Sequence, residues 1–164
     1  MLRVALLVLA ALVILVLIVV AIGYALPVAH VASRTAAFRQ TPDEIFAVLT
    51  DVAHFPQWRS DVTGVEILGS SPLRWREHGS NGDITFVVDE SSKPTRLVTR
   101  IDDRSLPFGG TWTYELAPAT GGTAVTITER GEVYNPLFRF MSRFVFGHTA
   151  TMEAYLAALQ KRLP

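Results

Sequence analysis

The chain has 164 residues, no cysteine, and 15 acidic against 15 basic side chains, so its formal net charge is zero with histidine neutral. Without cysteine there is no disulfide framework, no thiol nucleophile and no thiolate metal site. A balanced charge lacks the basic footprint that phosphate backbones demand, so no nucleic-acid partner is expected.

Residues 4–22 contain no polar side chain. At 1.5 Å per residue they make roughly 28 Å of apolar helix, which matches a bilayer core. A soluble core helix would keep a polar face, and this stretch has none. Two readings compete: a retained membrane span, or a cleaved signal peptide with Gly23-Tyr24-Ala25 supplying small residues for the peptidase. The run exceeds the usual h-region, and only Arg3 precedes it, which favours the span. Tyr24 and Pro27 then sit at the interface and end the helix. The expected division is an anchor over residues 1–26, a juxtamembrane linker over 27–30 and one domain over 31–164. Arg3 on one side and Arg34 and Arg39 on the other leave orientation open by the positive-inside rule. The working expectation is a single-pass protein with its domain outside the cytoplasm.

After the linker, Val31 to Arg39 reads as a first strand. Thr41-Pro42-Asp43-Glu44 is a sharp helix start, with Thr41 as cap, Pro42 at the first helical position and Glu44 placed to complete a capping box. Ile45, Phe46, Val48 and Leu49 supply the buried face of that helix, and a short helix or turn follows from Val52 to Trp58. From Asp61 the apolar period changes to two. Leu73, Trp75 and Glu77 share one face, Arg74, Arg76 and His78 the other. Asn81-Gly82 is the favoured pair of a type I′ hairpin. Ile84, Phe86 and Val88 share a face, as do Leu97, Thr99 and Ile101. Asp102 to Gly110 reads as the longest loop. Trp112, Tyr114 and Leu116 alternate with Thr111, Thr113 and Glu115, and Gly121-Gly122 turns the chain into Val125, Ile127 and Glu129. Asn135 and Pro136 then open a helix whose stripe of Leu137, Met141, Phe144, His148, Met152, Tyr155 and Leu159 predicts more than six turns, bent at Gly147. One bulky face per strand opposite a Thr- and Arg-rich face describes an antiparallel sheet covered on one side, with the last helix as its cover.

These residues resemble the SRPBCC superfamily of START-like, Bet v 1-like helix-grip domains, which includes polyketide cyclase and dehydrase-like proteins. The resemblance is carried by Thr41-Pro42-Asp43-Glu44-Ile45-Phe46, Leu49 with Asp51, Phe55-Pro56-Gln57-Trp58, Val65-Glu66-Ile67-Leu68, Trp112-Thr113-Tyr114, Thr126-Ile127-Thr128-Glu129 and the Asn135-Pro136 helix start. It implies an α+β helix-grip fold, with a curved seven-stranded antiparallel sheet wrapped around a long C-terminal helix and two short helices after the first strand. It also implies an apolar cavity between sheet and helix. Alternation and the helical stripe predict its lining as Trp75, Phe86, Val88, Trp112, Tyr114 and Ile127 from the sheet and Met141, Phe144 and Met152 from the helix. Trp58 and His148 complete the candidate ligand contacts.

Glu77, Glu129 and Tyr114 are the candidates for chemistry, because each shares a face with the bulky residues of its strand. A carboxylate in an apolar cavity would have a raised pKa and serve as acid or base. The plainer reading places both carboxylates near strand ends, against water or an arginine. The histidines His30, His54, His78 and His148 lack metal-ligand spacing, so neither a metal nor a cofactor is expected. Arg139 and Arg143 are expected on a solvated face, with contact to lipid headgroups as the alternative. The leading expectation is a membrane-anchored domain that binds a hydrophobic small molecule or lipid without changing it. The rivals are a polyketide cyclase-like enzyme and an accessory domain with a filled core that meets a partner at the loop from Asp102 to Gly110.

Overall fold

The computed structural model describes residues 1–163, with the Phe146 side chain outside the described part. Leu2–Ala25 form α1, 24 residues whose central apolar window is wholly exposed. At 1.5 Å per residue the helix is about 36 Å long, enough to cross a bilayer core. Its last turn behaves differently, since Gly23 is buried where the chain returns to it much later.

β1 spans Ala29–Phe38, beginning two residues before Val31. α2 (Pro42–Thr50) is fixed at its start by reciprocal capping: the Thr41 hydroxyl accepts from the Glu44 amide at 3.4 Å, and the Glu44 carboxylate accepts from the Thr41 amide at 2.8 Å. Amides without intrahelical partners are thereby satisfied. Ile45, Phe46 and Leu49 are the buried face of α2, and a 3-10 turn, Val52–Gln57, buries Val52 and Phe55. These two elements carry the chain from one edge of the sheet to the other. β2 (Val62–Ser70), β3 (Leu73–Gly79), β4 (Gly82–Ser92), β5 (Arg96–Ile101), β6 (Phe108–Ala119) and β7 (Gly122–Val133) then meander back until β7 pairs with β1. The order is β1-β7-β6-β5-β4-β3-β2, antiparallel throughout.

Register lines the inner face up across strands: Trp75 opposite Phe86, Phe86 opposite Ile101, Thr99 opposite Trp112, Tyr114 opposite Ile127. The outer face carries arginine and carboxylate pairs, among them Arg74 with Asp102 at 2.8 Å and Arg100 with Asp89 at 2.9 Å. The inner-face register holds, but in β4 the buried residues are Thr85 and Val87 of the other face while Ile84, Phe86 and Val88 are half-buried, and Ile67 of β2 is exposed.

Local detail departs from expectation in three places. Gly82 alone of the Asn81-Gly82 pair has a left-handed backbone (φ +83°), so this reversal is not a type I′ turn, which needs both central residues left-handed. β6 begins at Phe108, which shortens the expected long loop, and Leu106, Pro107 and Phe108 are half-buried. The C-terminal helix is also divided. α3 (Pro136–Met141) is capped by the Asn135 carboxamide and runs into a single π turn, Ser142–Phe146. Gly147 then breaks the chain direction at φ +74°, where a side chain would be strained, and α4 runs over Ala150–Arg162.

Only the second half of the apolar stripe faces the sheet. Met152, Tyr155, Leu156 and Leu159 of α4 pack with Phe38, Leu97, Tyr114, Leu116, Val125 and Ile127 in the main core. Each such side chain contributes about 1.5–3 kcal/mol on burial. Arg34 pins the start of α4 to β1 through Glu153 at 2.6 Å and the Thr149 hydroxyl at 3.1 Å. The first half of the terminal segment packs on the end of α1 instead, through Pro136 and Arg139. Leu137 and Phe144 are exposed, and a Cβ on Gly23 would collide with the Pro136 carbonyl.

Candidate ligand-binding site

Two core clusters lie under the sheet and meet at Trp58 and Val88, which pack against both. Between them sits a polar group that no periodicity announces. Arg59, at the end of the 3-10 turn, sends its guanidinium inward between the rings of Phe55 and Tyr155, 5.1 and 5.2 Å from their centroids. It donates to Glu77 Oε1 at 2.9 Å and to Asp61 Oδ2 at 2.6 Å, and Trp75 Nε1 donates to the same Glu77 oxygen at 3.0 Å. Glu77 is 7% exposed. A carboxylate this deep needs compensation for lost water, and these two donors supply it. Burial alone would disfavour the charged Arg59, but the hydrogen bond to Asp61 and the nearby charge of Glu77 outweigh it, so its pKa lies above the ordinary arginine value.

The aromatic wall continues from this ion pair. Tyr155 of α4 contacts Trp58 at 5.3 Å, Trp112 at 5.7 Å and Tyr114 at 5.8 Å between ring centroids. Burial pushes the Tyr114 phenol up to about 12, with Arg59 and the hydroxyls of Tyr155 and Thr99 acting the other way. Tyr155 is likewise held well above its ordinary value by burial and by Tyr114. Both phenols therefore keep their protons at neutral pH. They can donate to a ligand oxygen, but neither is a base.

The other sequence candidates fall in distinct places. Trp75 stacks on Phe86 at 5.4 Å; Trp58 and Val88 are half-buried between the two clusters, Phe86 is half-buried against the smaller cluster and Trp112 against the main core. Ile127 and Met152 are fully buried in the main core. Met141 is half-buried in α3, away from α4, and Phe144 is 60% exposed, so the break at Gly147 removes Phe144 from the wall between helix and sheet. Glu129 faces the same side as Trp112 but reaches His30 Nε2 at 3.3 Å, and His30 stacks on His148 at 3.9 Å. Arg139 is a correction, for it is 8% exposed and not on a solvated face. Its Nη1 donates to the Leu26 carbonyl at 2.9 Å, because α3 lies against the end of α1.

Arg59, Asp61, Thr99 and Tyr155 join this candidate site and were not among the candidates from sequence. Tyr155 had a signal, since it stands on the apolar stripe beside Met152. Arg59 had none, because a loop cation reads as solvated until the strand carrying Glu77 is folded against it. Among the described residues, no group of three or more His, Cys, Asp or Glu side chains is arranged to hold a metal.

A curved antiparallel sheet gripping a C-terminal helix, with small helices closing one end, defines a helix-grip protein. A family profile described as polyketide cyclase / dehydrase and lipid transport matches residues 29–164, and the chain belongs to that family. Solved structures agree on the fold. A START superfamily protein from Mycobacterium smegmatis superposes with TM-score 0.64 at 18% identity, over 82% of this chain and 97% of that one. Norcoclaurine synthase from Thalictrum flavum gives 0.66 at 12% identity, over 82% and 86%. The di-domain ARO/CYC StfQ from the steffimycin biosynthetic pathway gives 0.68 at 10% identity, over 83% of this chain and 51% of that one, so the chain spans about half its length. Among curated proteins, none matches by sequence.

Proposed function

We propose that this protein is a membrane-anchored carrier or receptor that holds a hydrophobic small molecule or lipid against the inner face of its sheet and leaves it chemically unchanged. The observation that carries this reading is incomplete cover. α4 shields the half of the sheet around Leu116, Val125 and Ile127, while the preceding segment turns away to α1 and leaves Ile84, Phe86, Ile101 and Trp112 only half-buried. An apolar, aromatic surface with a few convergent donors from Tyr114, Tyr155 and Arg59 is the make-up of a small-molecule site. α1 supports the lipid part, since a tether keeps such a surface beside a reservoir of apolar ligand. On this reading residues 1–26 anchor and the remainder binds.

A second reading has one observation in its favour. Glu77 is a carboxylate buried among aromatic rings, and a cyclase-like enzyme would use such a group for acid-base chemistry. Its pairing with Arg59 favours the binding reading, because the carboxylate oxygen Oε1 is already engaged by two donors, Arg59 and Trp75.

The test is lipid extraction and native mass spectrometry of the full chain purified from its own membranes. A co-purified hydrophobic molecule, recovered unchanged after incubation, is expected. A chain that arrives empty and takes up neither fluorescent fatty acids nor quinones would overturn the proposal. Recovery of a converted product, lost in Glu77→Gln, would favour the enzyme.

A further inference from the structure

A hollow lies away from the aromatic wall, where the end of α1 meets the domain. It encloses about 320 Å³, and its lining includes Leu26, His30, Arg139, Ser142, Arg143 and His148. Its basic character is unusual because Arg139 is buried and yet has no carboxylate. The guanidinium gives Nη1 to the Leu26 carbonyl at 2.9 Å and Nη2 to the Tyr134 carbonyl at 3.4 Å, and its Nε has no hydrogen-bond partner. A guanidinium carries five N–H donors and a full charge, and two carbonyls satisfy neither. Among the described residues, no acid lies within ion-pair distance of Arg139 or Arg143. Glu129 is engaged by His30 at 3.3 Å instead.

The position of the hollow identifies what would complete it. Arg139 lies 5.9 Å from the ring centroid of Tyr24, in the last turn of α1, and bonds the residue that ends that helix. If α1 spans the bilayer, the tyrosine marks the headgroup level, and the hollow opens at that depth. The neighbouring Leu137, Phe138, Phe144 and Val145 are exposed apolar side chains on the same segment.

The geometry points to a phosphate site: the hollow between the end of α1, β1 and α3 binds the phosphate of an anionic phospholipid headgroup through Arg139, with Arg143 at its rim. This site is distinct from the aromatic wall, and its lipid source rests on the membrane reading of α1. Bound phosphate would supply the counter-charge that the protein itself withholds from Arg139.

The full chain in detergent micelles, offered phosphatidylglycerol or diacylglycerol of the same acyl chains, would be examined by native mass spectrometry. Phosphatidylglycerol adducts should persist at lipid concentrations where diacylglycerol adducts do not. Arg143→Gln, an exposed position that leaves the fold alone, should weaken them about tenfold, the usual loss for one charge-assisted contact, and Arg139→Gln should weaken them at least as much. Competition with millimolar inorganic phosphate separates the sources. Displacement would assign the site to the free ion, and persistence to the headgroup. Equal retention of the two lipids, or unchanged retention in both variants, would overturn the site. An intact mass lacking residues 1–25 would overturn the lipid source together with the anchor reading, whereas lost selectivity in the full-length chain overturns the site alone.

Discussion

Arg59 and Glu77 decide how the interior can behave. Removing the guanidinium in Arg59→Met leaves a buried carboxylate without its partner, and the expected cost is about 3–5 kcal/mol by urea denaturation. Adding Glu77→Gln should recover part of that loss, because the uncompensated charge goes with it. Strict additivity of the two would mean that the pair is not coupled. The tyrosines set the alkaline limit. The unfolded chain ionises Tyr114 near its ordinary value of 10.0, whereas the folded chain holds the proton to about 12. Stability from this group is therefore complete below pH 10 and is lost as pH rises through 12, by about 3 kcal/mol at 1.36 kcal/mol per unit. Tyr155 acts in the same direction. Urea midpoints should fall across that window and fall less in Tyr114→Phe, and a midpoint that stays level to pH 12 would contradict the burial of both phenols.

At the scale of elements, two clear local signals had different outcomes. The Thr41 capping box needs only residues three apart, so it was fully legible and is present as read. Thr41→Ala should cost about 1 kcal/mol, or about 4 °C in Tm by calorimetry. The stripe predicts one terminal helix bent at Gly147, but a stripe does not say which partner each half meets. Gly147 lets the segment reverse, and α1 captures the first half. Gly23 is the contact that permits this capture. Gly23→Val should part α1 from α3 and free the Arg139 contact to Leu26, with faster protease cleavage of residues 26–28 in micelles as the measure. Cleavage at the wild-type rate would show that the two helices hold together without that close approach.

For the whole molecule, the proposal that α1 anchors the domain predicts its extraction behaviour. Full-length chain should resist carbonate extraction from membranes, and a chain starting at residue 27 should be released by it. Release of both would mean that α1 does not anchor. The order of elements, the two faces of most strands and the apolar length of α1 were readable from sequence, because each depends on neighbours a few residues apart. The resemblance carried by the capping box, the Phe55-Pro56-Gln57-Trp58 turn and the Trp112-Thr113-Tyr114 strand pointed to the fold for the same reason. The Arg59 to Glu77 pair and the Arg139 contact with Leu26 join positions 18 and 113 residues apart, and no local pattern records them. Sequence alone determined the element order and the apolar period of each element, since these depend on side chains a few residues apart. Only the tertiary structure decided which buried charges meet a partner and which remain open to a ligand, since that depends on what the rest of the chain brings to each face.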